Sequence, residues 1–338
     1  MTPTSSSSSL TTITDQHAEW FSHWFNVVLD NVERVIRGKR NEVATALICL
    51  FAEGHLLLED VPGTGKTVLA RSIARSIDST WGRIQFTPDL MPSDVTGGEI
   101  YDQRDGSFEF RLGPVFSNVV LADEINRASP KTQAALLEVM EERQVTAAGE
   151  THRVPRPFVV IATQNPVEQE GTYRLPEAQL DRFLLRTAIG YPTLEAETDA
   201  IKRVSLGSTP DGLEPVISAE DVERMISVST SVHVDDPIYD YVTRLVAATR
   251  EMPELRLGAS TRGGLSLIRA ARAMAATQGR PFVTVDDVRV LAPPALGHRM
   301  LLTADAELRG VDTAELVDRL LDTVDTPPPV RSGGGSGS

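Results

Sequence analysis

The residues Gly63-Thr64-Gly65-Lys66-Thr67 stand in an order that suits one kind of chemistry, the cradling of a phosphate chain. Glycine backbones let N–H groups close around an anion, and the first amides of a helix opening at Lys66 would point at it. Lys66 adds a point charge for terminal phosphates, and the Thr67 hydroxyl can ligate Mg²⁺. The full template asks for glycine where Asp60 stands, which places a carboxylate near the phosphates and argues against tight binding. Farther along, Asp123-Glu124 end an apolar run. Asp123 could hold Mg²⁺ through water, and Glu124 could polarise an attacking water, so that the two halves together would make an ATPase site. Asn165 follows another apolar run, where it could orient water and touch a γ-phosphate or simply form a turn before Pro166.

Two arginines extend the set. Arg182 lies near a helix end, where it could complement the helix dipole or reach the ATP of a neighbouring subunit, with Arg186 a second candidate. Arg262 falls in a first helical turn, against the dipole, and so calls for an anionic partner, either a carboxylate or bound phosphate. Upstream, Ile36 and Gly38 could contact an adenine ring or merely pack at a helix start.

Stepping from these residues to what must hold them, Leu56–Leu58 read as a strand and Lys66 onward as a helix through Val68, Leu69, Ile73 and Ile77. Further strands are predicted at 83–86, 118–122, 158–162 and 184–189, each short and apolar. The alternation of Phe108, Phe110 and Leu112 with polar residues makes 99–103 and 107–112 a β-hairpin closed at Asp105-Gly106. Such an insert suits a ring-pore or substrate contact. A second hairpin is expected over 144–154 with Gly149 at its turn, as are a helix capped by Ser129 and a short helix over 175–183, the latter turning Leu180 and Phe183 inward. Trp20, Phe21, Trp24, Phe25 and Val28 recur at helical spacing and read as packing. From Thr193 the pattern is helical, with capping boxes at Ser218/Asp221 and Thr284/Asp287, and a helix from Ser260 with Leu265 and Ile268 inward.

The 338 residues suffice for about two domains, and 41% hydrophobic with 24% charged content is that of an ordinary globular chain. No apolar run approaches the ~20 residues of a membrane helix. No secretory leader is evident, and the single buried-type cysteine, Cys49, fits a cytoplasmic address. The formal charge of −14 disfavours nucleic acid as the main partner, and six scattered histidines without a His-Glu-x-x-His pair disfavour zinc. The expected organisation is a Ser/Thr-rich tail at 1–14, a nucleotide domain at 15–191, a helical domain at 192–326 and a tail at 327–338 that ends in a Gly/Ser linker.

The chain resembles the MoxR family of AAA+ ATPases. The matching stretches are Val35–Gly38, Glu59–Thr67, Phe86–Asp94, Gly113–Phe116, Leu121–Arg127, Ala162–Pro166, Leu175–Phe183 and Gly258–Arg262, in family order from about Val32 to Met300. The resemblance implies an α/β fold: a three-layer αβα domain on a parallel sheet plus an all-α lid, assembled in rings, usually hexamers, with ATP and Mg²⁺ at subunit interfaces. It makes Ile36, Gly38, Pro62, Gly63, Thr64, Gly65, Lys66, Thr67 and Val68 the nucleotide set, and Thr67 and Asp123 the metal set. Glu124 becomes the catalytic carboxylate, Asn165 sensor 1, Arg182 the arginine finger and Arg262 sensor 2. Family members remodel, mature or activate client proteins, often with a von Willebrand factor A domain partner. The competing readings are a nucleotide-switched scaffold with little turnover, and a chelatase-type or nucleic-acid motor of the same clade.

Overall fold

A computed structural model describes residues 13–328 apart from 61–62, 105, 148, 166–172, 174, 192–193, 196, 199–201 and 203–211. Pro62, the turn at Pro166, most of the 1–14 tail and the Gly/Ser linker therefore lie outside the described residues. The chain opens with α1 (Asp15–Glu33), capped by the Thr14 side chain, and α2 (Arg40–Phe51). Ile13 is buried and Thr14 accepts from the His17 amide, so these two residues belong to the fold and not to the tail expected at 1–14. Then come β1 (Leu56–Glu59), α3 (Lys66–Ser76), β2 (Trp81–Gln85), α4 (Pro92–Thr96) and the hairpin β3 (Gly97–Asp102) with β4 (Ser107–Leu112). After β5 (Val119–Asp123) and α5 (Pro130–Glu142) a second hairpin, β6 (Gln144–Ala147) and β7 (Glu150–Arg153), leads to β8 (Val159–Gln164), α6 (Glu177–Leu180) and β9 (Leu185–Thr187).

Five of these strands form one parallel sheet in the order β2-β5-β8-β1-β9. Both faces of β5 and β8 are buried, which is why each reads as an unbroken apolar run. Alternate residues serve two cores. Leu56, Leu58, Leu121 and Ile161 face α1, α2 and α3, whereas Leu57, Val120, Ala122 and Val160 face the α5 side with Leu136 and Leu137.

The C-terminal part holds α7 (Ala219–Thr230), α8 (Asp236–Thr249), a short strand β10 (Leu255–Leu257), α9 (Thr261–Thr277) and α10 (Val285–Leu296). A strand β11 (Leu301–Leu302) paired with β10, then α11 (Ala304–Leu308) and α12 (Thr313–Thr323), complete it. These helices do not form a separate core. Ile226, Tyr241, Leu267, Leu291 and Leu320 share one hydrophobic cluster with Phe21, Phe25 and Phe51 of α1 and α2. Helix α1 is the joint: Ser22 Oγ donates to the Thr277 carbonyl at 2.7 Å, and Asn31 Nδ2 donates to Ser76 Oγ at 3.0 Å. Trp20 and Trp24 pack at the margin of this cluster, Trp20 beneath the Arg224 guanidinium.

Three elements differ from expectation. The helix expected over 175–183 shrinks to the single turn α6, because Pro176 caps it and Asp181 leaves the helix to meet the lid; Phe183 is nonetheless buried. The last strand is three residues long, not six. Leu265 lies 61% exposed, and the inner face of α9 is carried by Leu267, Ile268 and small residues instead.

His55, just before β1, is fully buried: its Nδ1 accepts from the Val160 amide at 3.0 Å and its Nε2 faces the Met140 carbonyl at 3.1 Å. Burial pushes its pKa down to about 3, so the folded state holds it neutral where an unfolded chain would take a proton. Buried His298 is displaced in the same direction. Stability should therefore be fully present above about pH 6.5 and decline as pH falls from there toward 3. Denaturant midpoints measured across that window should show the decline, and a midpoint flat between pH 7 and pH 5 would refute it.

Candidate active site

In a parallel sheet every strand delivers its C-terminal residues to the same edge. Here that edge gathers the phosphate loop after β1, Asp123 and Glu124 after β5, and Asn165 after β8. Gly63 and Gly65 take φ of +86° and +91°, a backbone state costly for any residue with a side chain. A Cβ built on either would meet no atom within 4 Å, so the loop encloses open space on that side. Helix α3 starts at Lys66 directly after Gly65, and aims its first amides into that space. Lys66 Nζ donates to the Asp60 carbonyl at 3.3 Å, and Thr67 and Val68 are half-buried beside it.

Asp60 changes meaning. It is buried, and its Oδ2 accepts from the amides of Ile189 (2.9 Å) and Gly190 (2.8 Å). Lys39 Nζ reaches the carbonyls of the same turn, Ile189 and Tyr191, the latter at 3.1 Å. The carboxylate expected to trouble the phosphates instead spends two lone pairs clamping the chain after β9 to the root of the loop. Through Lys39, the Ile36–Gly38 turn, with Gly38 at φ +71°, joins this corner of the sheet.

Asp123 and Glu124 are locked by neighbouring strands. Thr163 Oγ1 donates to Asp123 Oδ1 and accepts from the Glu124 amide, both at 2.8 Å. Arg83 Nη2 meets Asp123 Oδ2 at 2.6 Å, while Gln85 Nε2 and Arg127 Nη1 each meet Glu124 Oε2 at 3.0 Å. Glu124 itself adopts φ +57°, the left-handed region that residues other than glycine seldom occupy, which marks backbone strain at this point. Thr163, Arg83, Gln85 and Arg127 escaped the sequence reading. The only available hint was that polar residues end strands which are otherwise apolar. Asn165 is buried at the same edge. Asp123 carboxylate and Thr67 hydroxyl are hard oxygen donors, the chemistry that Mg²⁺ prefers.

The opposite, N-terminal edge holds the other candidates. Glu53–His55 precede β1, Arg182 precedes β9, and Glu141 lies in the last turn of α5, which runs back from the Asp123 edge. With β1 four residues long, the two edges stand at least ~13 Å apart at about 3.3 Å per residue. Arg182 Nη2 pairs with Glu141 Oε2 at 2.9 Å, and Arg262 Nη2 with Glu141 Oε1 at 2.7 Å. The structure thus brings Arg182 and Arg262 together and keeps both away from the phosphate loop of their own chain. The anion that Arg262 meets within the chain is a carboxylate. Arg186, the second candidate, points elsewhere: it bridges Glu59 Oε2 (3.0 Å) and Thr313 Oγ1 (3.1 Å) inside its own chain. Its position in mid-strand explains this, since Arg186 lies opposite Leu57 in the sheet.

The lid grips the arginine edge. Buried Arg299 donates from Nε to Asp181 Oδ1 at 2.7 Å and from Nη2 to the Phe183 carbonyl at 2.6 Å, and Ser260 Oγ donates to Asp181 Oδ2 at 3.0 Å. Alongside, Arg143 and Arg156 both pair with Glu53. Burial alone would raise the Glu53 carboxyl, but Arg143 and Arg156 outweigh it and hold it below the usual range.

Comparison with known proteins follows this division. Residues 55–185 match the family model described as the ATPase family associated with various cellular activities (AAA), and residues 247–320 match the AAA lid domain. The chain is 43% identical to a Mycobacterium tuberculosis protein named Chaperone MoxR1, over 90% of this chain and 83% of that one. It is 48% identical to the uncharacterized protein YeaC of Bacillus subtilis, over 88% of this chain and 93% of that one. A crystal structure of a protein assigned as an ATPase from Cytophaga hutchinsonii superposes with a TM-score of 0.87 at 39% identity, covering 93% of this chain and 98% of the other.

Proposed function

Because the chain belongs to the MoxR family of AAA+ ATPases, we propose that it hydrolyses ATP at sites completed between subunits and uses the energy to remodel a protein client. The observation that carries this reading is the division of the candidate residues between two opposite sheet edges. The phosphate-loop edge gathers the Gly63–Thr67 loop, Asp123, Glu124 and Asn165, to which this reading gives ATP binding and water activation. The edge with Arg182 and Arg262 offers the positive charge that a transferring phosphoryl group needs, yet offers it only to another chain.

In this reading Gly63–Thr67 bind the phosphates through backbone amides, Lys66 neutralises the terminal pair, and Ile36 with Gly38 lies against the base. Thr67 and Asp123 would hold Mg²⁺, which supplies charge neutralisation at the phosphate oxygens when bound. Glu124 takes the proton of the attacking water, and Asn165 orients that water. Arg182 and Arg262 of the next subunit then face the terminal phosphate. Ring assembly follows from this sharing, and a hexamer is the family's usual ring, which we carry over. The described residues include no helix long and apolar enough to cross a membrane, and we assign the chain to the cytoplasm, where ATP and clients meet.

The β3–β4 hairpin suits client contact. Ile100, Tyr101 and Phe108 stand about half or more exposed, with the Tyr101 and Phe108 rings 5.2 Å apart. A partner with a von Willebrand factor A domain and a chaperone-like role in maturing or activating an enzyme are the family habits that we carry over; the M. tuberculosis relative bears the name chaperone.

The test is kinetic. Mg²⁺-dependent phosphate release per chain should rise several-fold as protein concentration passes through ring assembly, because a lone chain cannot complete its site. Turnover per chain that is independent of concentration, down to a monomer confirmed by light scattering, would refute the shared site.

A further inference from the structure

Glu141 stands where a helix least favours it. It lies in the last turn of α5, followed by Glu142 and with no basic residue in that turn, so two carboxylates face the negative end of the dipole. What compensates is the pair of guanidinium groups: one Glu141 oxygen meets Arg182 and the other meets Arg262. These arginines come from different parts of the chain, one before β9 and one from lid helix α9, and each carries a charge that repels the other. A single carboxylate with its two oxygens apart holds them at a spacing set by its own geometry.

The pairing leaves donors unused. An arginine carries five N–H donors in a fork suited to bidentate contact. Glu141 engages a single Nη2 of each, and the Arg182 Nε is buried with no hydrogen-bond partner among the described residues. A buried donor without a partner is costly, and an anion that reached it would meet that unsatisfied N–H. Beside it opens a cavity of about 220 Å³ lined by Glu53, Glu141, Arg143, Arg182, Arg262 and Ser266.

We propose that Glu141 is a positioning residue: a carboxylate that stands in for phosphate, holding Arg182 and Arg262 together until the terminal phosphate of a neighbouring subunit's ATP displaces it. The inference rests on the shared-site reading above. The exchange favours phosphate, which brings more negative charge and three oxygens to donors that the carboxylate only partly satisfies. It also makes Glu141 a brake, because each engagement with a neighbour must first release an ion pair.

The test uses the full chain with Glu141→Gln, Glu141→Asp and Arg182→Ala. Removing the competing charge should lower the ATP concentration and the protein concentration for half-maximal turnover, each about three- to tenfold, with kcat within about twofold of wild type. Glu141→Asp, which keeps the charge, should stay close to wild type. Unchanged or raised half-maximal concentrations in Glu141→Gln would overturn the proposal. If Glu141→Gln does not fold, Glu141→Ser at the same exposed helix end carries the same expectation and the same refutation. Arg182→Ala separates the two levels. Full turnover in that variant sinks the shared site itself, whereas lost turnover with no Glu141→Gln shift sinks only the role of Glu141.

Discussion

Replacing Arg182 with alanine is expected to slow ATP turnover by about a thousandfold or more, the worth of an arginine finger, while leaving ATP affinity close to wild type. The affinity should survive because Arg182 lies at the opposite sheet edge from Gly63–Thr67, the loop proposed to bind the nucleotide in its own chain. Mixing with Lys66→Ala makes the outcome specific. An Arg182→Ala chain keeps a competent phosphate loop, and a Lys66→Ala chain keeps the arginines. By random assortment about one interface in four joins the two in the productive sense. Turnover should thus return to roughly a quarter of wild type per chain in an equal mixture of two inactive variants. No recovery, in rings shown to contain both variants, would mean that Arg182 does not act across an interface.

Glu124→Gln should separate binding from chemistry. Gln keeps the shape of the side chain and can still meet Gln85 and Arg127, so the strand end and its strained φ should persist. It cannot accept the proton of the attacking water, and losses of about 10²–10⁴ in kcat are usual for such a group. ATP should remain bound. At a hundredfold excess over Kd, it should stabilise the variant by about 2.7 kcal/mol, read as a rise in the unfolding midpoint that Lys66→Ala lacks. Turnover near wild type in Glu124→Gln would assign the base elsewhere. The same ATP-loaded variant is the bait of choice for a client.

How far the sequence carries can be judged from these same residues. The strand, turn and helix around Gly63–Lys66 and the place of Asp123-Glu124 at a strand end are legible because these patterns are local: a strand, then a few residues of fixed type, then a helix or turn. The strands of the sheet are legible for a related reason, since strands buried on both faces have no polar face to interrupt them, whereas their parallel order comes from the family resemblance. What failed was everything that depends on register. Thr163 reaches Asp123 from the neighbouring strand on one side, and Arg83 reaches it from the neighbouring strand on the other, and neither bond leaves a trace in spacing. Asp60 looked like a blemish in a motif because its partners, Ile189 and Gly190, lie about 130 residues away. Arg262 was correctly given an anion, but periodicity could not choose between phosphate and Glu141. The helix over 175–183 and the inward Leu265 failed for a third reason. The lid pulls Asp181 out of its helix through Arg299 and Ser260, and a tertiary tie of that kind outweighs local pattern.

The two opposed edges of the sheet have a consequence for counting. On the shared-site proposal each chain offers one phosphate-loop edge and one arginine edge, so a row of n chains joined edge to edge would contain n − 1 complete sites and two ends, one of each kind. Joining those ends adds one more interface and no new chain. An interface between unlike surfaces either closes in this way or grows without limit as a filament. Activity per chain would then approach its maximum gradually in an open row and reach it outright only on closure. For a protein built in this manner, completing the circle is itself the last catalytic group to be supplied.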